Sequence, residues 1–274
     1  MDGRRRDGRL TLGLILCGMF ALCAALGPLA APYDPHAIAL ERALQGPSKE
    51  HVLGTDALGR DLLSRTLWGA RLAFVVCVLG VAGGAACGTA LGLWVGMVGG
   101  IAERIVLRAV DVLLAFPGFL LALAAAAALG PGTENLIVSV GFFSFPPFVR
   151  VARAEASALM REEFVAAARA YGAPLGRVLW RHILPNAAGP LVALAALRMA
   201  AALTTASGLS FLGLGPPLPT ADWGAMLDEG RAYLWTAPRL VVVPGAALFL
   251  SSIGFYLLGE GLSRPGNDLA SDGR

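Results

Sequence analysis

Lysine is nearly absent from this chain. Lys49 is the only one among 22 Lys and Arg residues, and Glu50 follows it. A phosphate-cradling P-loop needs a lysine directly before Ser or Thr, so this chain is no P-loop ATPase. Any ATP that drives it is hydrolysed on another chain. Histidine is almost as scarce. His36, His51 and His182 are far apart in sequence. No apolar run offers a His pair, a paired Asp motif or a Ser–His arrangement, which argues against an intramembrane enzyme. Cys17, Cys23, Cys77 and Cys87 all sit inside apolar runs without metal-ligand spacing, and read as small packing residues. Charge is low overall: 15% of residues are Asp, Glu, Lys or Arg, against about 25% in an average soluble domain.

What is present is oil, glycine and arginine. The 274 residues are 56% hydrophobic with a mean hydropathy of +0.67. Continuous apolar runs recur at roughly the 20-residue length that spans a bilayer as helix. Barrel strands would alternate over about ten residues instead. The expectation is an all-α polytopic membrane protein with about six transmembrane helices. The spans are placed at Leu10–Ala31, Leu72–Val98, Leu107–Leu129, Glu134–Val151, Ala187–Ser207 and Leu240–Leu262. The first run is longer than the apolar core of a signal peptide, about 7–15 residues. Leu29-Ala30-Ala31 is also a poor cleavage site, so this run is read as a retained span.

Within the second span, Gly80, Gly84, Gly88, Gly92 and Gly96 recur at fourfold spacing. Such a stripe lets a neighbouring helix approach closely, and it predicts a packing seam. Asp111, three residues after Arg108, is expected to be interfacial or paired. Phe116-Pro117-Gly118 predicts a kink in the third span. Pro146-Pro147 predicts that the fourth helix bends or ends. Arg198 stands alone inside the fifth span, where a charge must face the bundle or a wet cavity. Structural pairing is expected for it, with substrate contact as the other reading. Residues 208–238, with Trp223 and Trp235, predict an interfacial loop with aromatic anchors.

Between the fourth and fifth spans lies a polar island, Arg161–Asn186, REEFVAAARAYGAPLGRVLWRHILPN. Glu162 and Glu163 suit a helix N-terminus. Phe164, Ala168 and Tyr171 share a face. Gly172 is placed to take a left-handed cap, with Pro174 to stop the helix. A second short helix is expected from Leu175 through His182, closed by Leu184-Pro185-Asn186. The pattern predicts a docking surface for a soluble partner.

Lys and Arg counts give the orientation. With both termini inside, fourteen fall in cytoplasmic segments, seven outside and one, Arg198, within a span. That excess follows the positive-inside rule. The 32–70 segment is then extracytoplasmic and the tail from Ser263 cytoplasmic. An ion-coupled secondary transporter is the competing class. Such proteins often carry internal repeats with paired broken helices, and no convincing repeat is found. An ion channel lacks a filter-like motif here.

Several stretches carry a family resemblance. His51–Arg65 (HVLGTDALGRDLLSR), Arg108–Pro117 (RAVDVLLAFP), Leu209–Leu214 and Trp223–Leu227 resemble segments of the permease subunits of ABC importers for dipeptides, oligopeptides and nickel. The chain looks most like the second of the two permeases those systems use. The island resembles the family's cytoplasmic loop. Ala167, Ala168, Gly172, Leu184 and Pro185 keep its register, while Ala166 replaces an acidic residue and His182 an isoleucine. The resemblance implies the type I ABC importer permease fold. It also implies an ATPase-coupling loop carrying Ala167, Ala168, Gly172, Leu184 and Pro185, to which the reading of the residues adds Phe164 and Tyr171 as aromatic anchors and Glu163 as an acidic residue a turn before Ala166.

On that basis residues 1–68 form an N-terminal tail, first span and extracytoplasmic segment. Residues 69–262 form the transmembrane core with the coupling loop at 155–186, and 263–274 a cytoplasmic tail. The implied partners are a homologous second permease, two ATP-binding cassette subunits, an extracytoplasmic solute-binding protein and the lipid bilayer, with no nucleic acid. The implied location is the inner (cytoplasmic) membrane. No cofactor is expected on this chain, because ATP and Mg belong to the ATPase. The cargo is open among dipeptides, longer peptides, nickel chelates and glutathione.

Overall fold

The computed structural model describes residues 2–263. Met1 and residues 264–274, which hold Arg264, Arg274 and nearly all of the predicted C-terminal tail, lie outside the described residues. So do the side chains of Arg4, Arg5 and Arg6. Among the described residues ten α-helices run in order: α1 Asp2–Ala30, α2 Leu62–Val98, α3 Gly100–Ala115, α4 Gly118–Leu129, α5 Thr133–Leu159, α6 Glu163–Ala170, α7 Leu175–Val178, α8 Leu184–Phe211, α9 Trp223–Arg231 and α10 Arg239–Leu262. Among the described residues there is no strand, only an isolated bridge between Thr55 and Asp61. Five helical runs are long and apolar enough to cross a membrane, and the α3–α4 pair makes a sixth if counted as one broken span. The chain is an all-α, multi-pass membrane protein.

The glycine stripe is the seam between α2 and α5, the most extensive helix contact in the molecule. A Cβ at any of Gly80, Gly84, Gly88, Gly92 or Gly96 would come closer than 3.0 Å to α5, at Val140, Gly141, Phe145, Val149 and Arg153 in turn. Lipid tails are as apolar as leucine, so helix association in a bilayer rests on such close van der Waals approach. The same device recurs at α10. Gly254 admits Leu16 and Gly261 admits Leu10, which seats α1 against α10.

Four expectations from the sequence change in part, each for a physical reason. The second span begins ten residues early, at Leu62 rather than Leu72, so the expected 68/69 boundary falls inside α2. Asp61 caps this helix, its Oδ2 accepting from the Ser64 amide at 2.8 Å. The polar residues of the first turns are satisfied by neighbours described below. The third span bends where Phe116-Pro117-Gly118 predicts, and by 93°, so α3 and α4 are the two arms of a broken span.

Pro146-Pro147 does not end the fourth helix, which continues to Leu159. Pro147 removes the amide that would bond the Phe143 carbonyl one turn back. Arg198 Nη2 of α8 donates to that carbonyl instead, at 3.4 Å, the kind of substitution that lets membrane helices tolerate proline. Finally, Leu184-Pro185-Asn186 does not close a short helix. Leu175–Phe211 runs on as one helical stretch, through a π-turn at Leu179–Ile183. The wider turn precedes Pro185, which sits in the first turn of α8 and brings no amide to bond.

Candidate functional site: an inter-span loop and an ionic cap

The loop between α5 and α8 is shorter than the expected 155–186. It leaves α5 after Leu159, forms α6, turns, and re-enters helix at Leu175. The turn is a Schellman cap. Gly172 has φ +79°; its amide donates to the Arg169 carbonyl at 2.9 Å, and the Ala173 amide donates to the Ala168 carbonyl at 3.0 Å. Only glycine takes that conformation without strain, and the two bonds satisfy the last carbonyls of α6. A Cβ at Gly172 would touch nothing, so the constraint is backbone conformation, not space.

Three side chains pin the loop to the body: Val165, Val178 and Ile183, each fully buried. Val178 falls in the pattern of the second short helix expected from Leu175 through His182, whereas Val165 and Ile183 do not stand out in the sequence. Val165 lies one residue from the Phe164–Ala168–Tyr171 face and is the one α6 residue that the fold buries. The opposite surface is left open. Phe164 is 44% exposed, Trp180 70% and Tyr171 93%. Glu163, Ala167 and Pro185 are also exposed, and Ala168 and Leu184 are half-buried. The Phe164 ring lies 6.0 Å from the ring of His182, which holds the first turn of α6 over the π-turn. Glu162, Glu163 and Ala166 are all exposed on the same short helix. Trp180 was missed, although an isolated large aromatic within the Arg177–Arg181 stretch is a readable signal.

Charges near the loop tie spans together. Glu103 of α3 pairs with Arg153 of α5, and Asp111 pairs with Arg150 of α5 rather than with Arg108. Arg9 pairs with Glu260 at 3.1 Å, joining α1 to α10.

The opposite end carries a buried ionic cluster. Arg60 Nε donates to Asp56 at 2.6 Å, and Arg65 Nη1 to the same carboxylate at 3.0 Å. Both guanidiniums also reach Glu229 of α9, at 2.8 and 3.0 Å. Burial pushes the Glu229 carboxyl above the usual carboxylate range, against the pull of Arg60. Next to it, His51 Nδ1 donates to Asp61 at 2.9 Å. Arg239 at the start of α10 donates to the carbonyls of Leu44 and Gln45, both at 2.8 Å. The Trp223 indole donates to the Thr66 carbonyl at 2.9 Å. Segment 31–61, α9 and the ends of α2 and α10 are thereby locked into one cap. A cavity of about 300 Å³ lies under it, bordered by Leu62, Met226 and Leu240 beside the charges. Trp223 is a buried packing residue here, whereas Trp235 is 94% exposed. The anchoring expected of both tryptophans fits only Trp235.

Residues 88–264 match the family described as "Binding-protein-dependent transport system inner membrane component". The chain belongs to this family. The permease is 39% identical over 251 residues to the dipeptide transport system permease protein DppC of Alkalihalophilus pseudofirmus, covering 92% of this chain and 83% of that one. It is 42% identical over 232 residues to the glutathione transport system permease protein GsiD of Pectobacterium atrosepticum, covering 84% and 77%. The GsiD of Shigella dysenteriae is also 42% identical, over 260 residues, with 94% and 86% covered. This permease is therefore a non-enzymatic transport subunit of the ABC importer class with the type I permease fold. Membership also implies work with an ATPase and a substrate-binding protein. Among the described residues no three His, Cys, Asp or Glu side chains converge as a metal site.

Proposed function

We propose that this permease forms half of the transmembrane pathway of an importer for small peptides, in the class of dipeptides and glutathione. The other half is a homologous second permease. Two ATP-binding cassette subunits supply ATP and Mg, and an extracytoplasmic binding protein delivers the cargo. The chain sits in the inner membrane with both termini, and the 160–174 loop, on the cytoplasmic side. ATP binding and hydrolysis on the partner then drive alternating access.

One observation carries the coupling role. A capped eight-residue helix, α6, is pinned by Val165 and opens its aromatic side chains to solvent between two spans. Phe164 and Tyr171 are the anchors that enter a cleft on the ATPase, as exposed aromatics do at interfaces. Glu163 and Ala167 flank them, and Ala168 lets α6 seat closely. Gly172 holds the angle between α6 and the following helix. Leu184 and Pro185 begin the long rod of α8, so a push on the loop moves a span directly. Such a two-state lever is what domain-scale switching requires. The peptide class is supported by the relatives named above, whose sequences align with nearly the whole chain.

The test is uptake of radiolabelled Ala-Ala and of glutathione into proteoliposomes holding the chain with its partner permease, ATPases and binding protein. Uptake is expected to require ATP inside and binding protein outside. Uptake that follows an ion gradient without ATP would overturn the reading in favour of a secondary transporter.

A further inference from the structure

Three irregular features of the bundle converge on one residue, Phe143. The first is the 93° break between α3 and α4. A Cβ on Gly118, the first residue of α4, would lie 2.5 Å from the Phe143 ring, so the ring rests directly on the start of that helix. The second is the proline pair of α5, whose Pro147 frees the Phe143 carbonyl. The third is the charge in α8. The Arg198 guanidinium stacks over the Phe143 ring at 4.3 Å from its centroid, and its Nη2 donates to the freed carbonyl at 3.4 Å.

This guanidinium is held but not neutralised. Among the described residues no carboxylate lies within ion-pairing distance of it. Its Nε is buried without a partner. Arginine offers five donors in a planar fork that matches a carboxylate, and one long bond to a carbonyl uses one of them. Arg198 is half-buried, and so are Ala201 and Gly208 on the same face of α8, with Thr204 exposed between them. Phe119 of α4 covers the far end of this stripe at Gly208. Arg198 lies ten positions earlier, about 15 Å along the helix at the rise of an α-helix. A charge, a hydroxyl and two small residues on the open face of a membrane helix do not face hydrocarbon. They face a wet pathway or a protein. Broken helices in transporters commonly border that pathway.

We propose that Arg198, stacked on Phe143, is the group in the membrane pathway that receives the carboxylate of the passing cargo. The inference rests on the peptide-importer reading above. Phe143 positions the fork through its ring and carbonyl, and the unused donors meet the anionic end of a peptide midway across the bilayer. A weakly held contact suits transport, because the cargo must leave as readily as it enters.

The test uses the full reconstituted transporter, with Ala-Ala and its C-terminal amide as probes. The binding protein is the same in every sample, so its own selectivity cancels between variant and wild type. Arg198→Gln is expected to keep assembly with the partner permease and basal ATP hydrolysis. It lowers Ala-Ala uptake at least tenfold and amide uptake less than twofold. Arg198→Lys, which keeps the charge but not the planar fork, loses less Ala-Ala uptake than Arg198→Gln and leaves amide uptake within threefold of wild type. Equal loss of the two probes by Arg198→Gln would mean a structural role and overturns the proposal, as does unchanged uptake. Loss of assembly with the partner permease in Arg198→Gln, retained in Arg198→Lys, would assign the charge to the subunit interface and also overturns it. Where wild type carries no amide, loss of Ala-Ala uptake in Arg198→Gln with a smaller loss in Arg198→Lys supports the proposal, and any other pattern sinks it. A wild-type transporter that moves neither Ala-Ala nor glutathione refutes the peptide reading itself, a result distinct from all of these.

Discussion

At one end of the bundle, Asp56, Arg60, Arg65 and Glu229 lock a long segment over the helix ends with charge. At the other, Val165, Val178 and Ile183 pin a short loop with nothing but apolar contact. Charge-assisted hydrogen bonds are directional, and a buried set of them admits one arrangement. Apolar pins fix a position yet leave the polar and aromatic side chains above them free. The cap is therefore built to stay in place, and the loop leaves open the face that the proposed coupling role needs. A part that transmits a partner's motion has to be rigid in itself and open on its surface, and α6 with its Schellman cap is both.

The most severe way to break this contrast is Arg65→Ala. Arg65 is fully buried, and its loss leaves Asp56 and Glu229 short of a counter-charge. Breaking a buried ion pair from one side costs about 3–5 kcal/mol. The expected outcome is a large drop in the thermal unfolding midpoint of the detergent-solubilised protein, with early proteolysis within residues 31–61. An unchanged midpoint would mean that the cap is not held by these charges.

Gly172→Pro acts on the loop. Proline cannot take φ +79° and lacks the amide that bonds Arg169. The local strain is on the order of 1–3 kcal/mol, and no other side chain touches the site. The protein is expected to insert into the membrane and the transporter to hydrolyse ATP without uptake. Normal uptake by this variant would remove the loop from the coupling path.

The two ends were not equally legible. The spans and the α2–α5 seam could be read because apolar length and fourfold glycine spacing are local patterns that packing in a bilayer uses directly. The Gly172 cap was legible for the same reason: a left-handed residue followed by Pro174 is a local signal. Three features that the sequence concealed depend on groups distant in sequence. Leu62 starts a helix because Asp61, Ser64 and Arg65 find partners from His51 to Glu229. Pro147 leaves α5 intact because Arg198, on another helix, reaches the vacated carbonyl. Val165 is a pin only because the fold puts α6 against the body. No short window of sequence contains Arg65 with Glu229, or Arg198 with Phe143.

A milder probe of the cap is Asp61→Ala. Asp61 accepts from the Ser64 amide and from His51, at 2.8 and 2.9 Å. Loss of an N-cap costs about 0.5–2 kcal/mol. The unfolding midpoint should fall, but by less than for Arg65→Ala. A larger fall would make the His51–Asp61 pair, not the Arg65 cluster, the main lock.

Tyr171→Ala should have the smallest effect on stability and is the sharpest test of the contrast. The side chain is 93% exposed, so its removal takes almost nothing from the folded chain. Surface substitutions of this kind stay within about 0.5 kcal/mol. An aromatic that anchors an interface is a different matter, since truncating a hot spot costs about 2 kcal/mol or more of binding. The same change should therefore leave the unfolding midpoint of the isolated subunit in place and weaken its capture of the ATPase roughly thirtyfold, which is that free energy at about 1.4 kcal/mol per factor of ten. If ATPase capture is unchanged, the exposed face of α6 is not what the partner grips. If stability falls instead, Tyr171 belongs to the body and the loop is pinned from both sides, which would erase its difference from the cap.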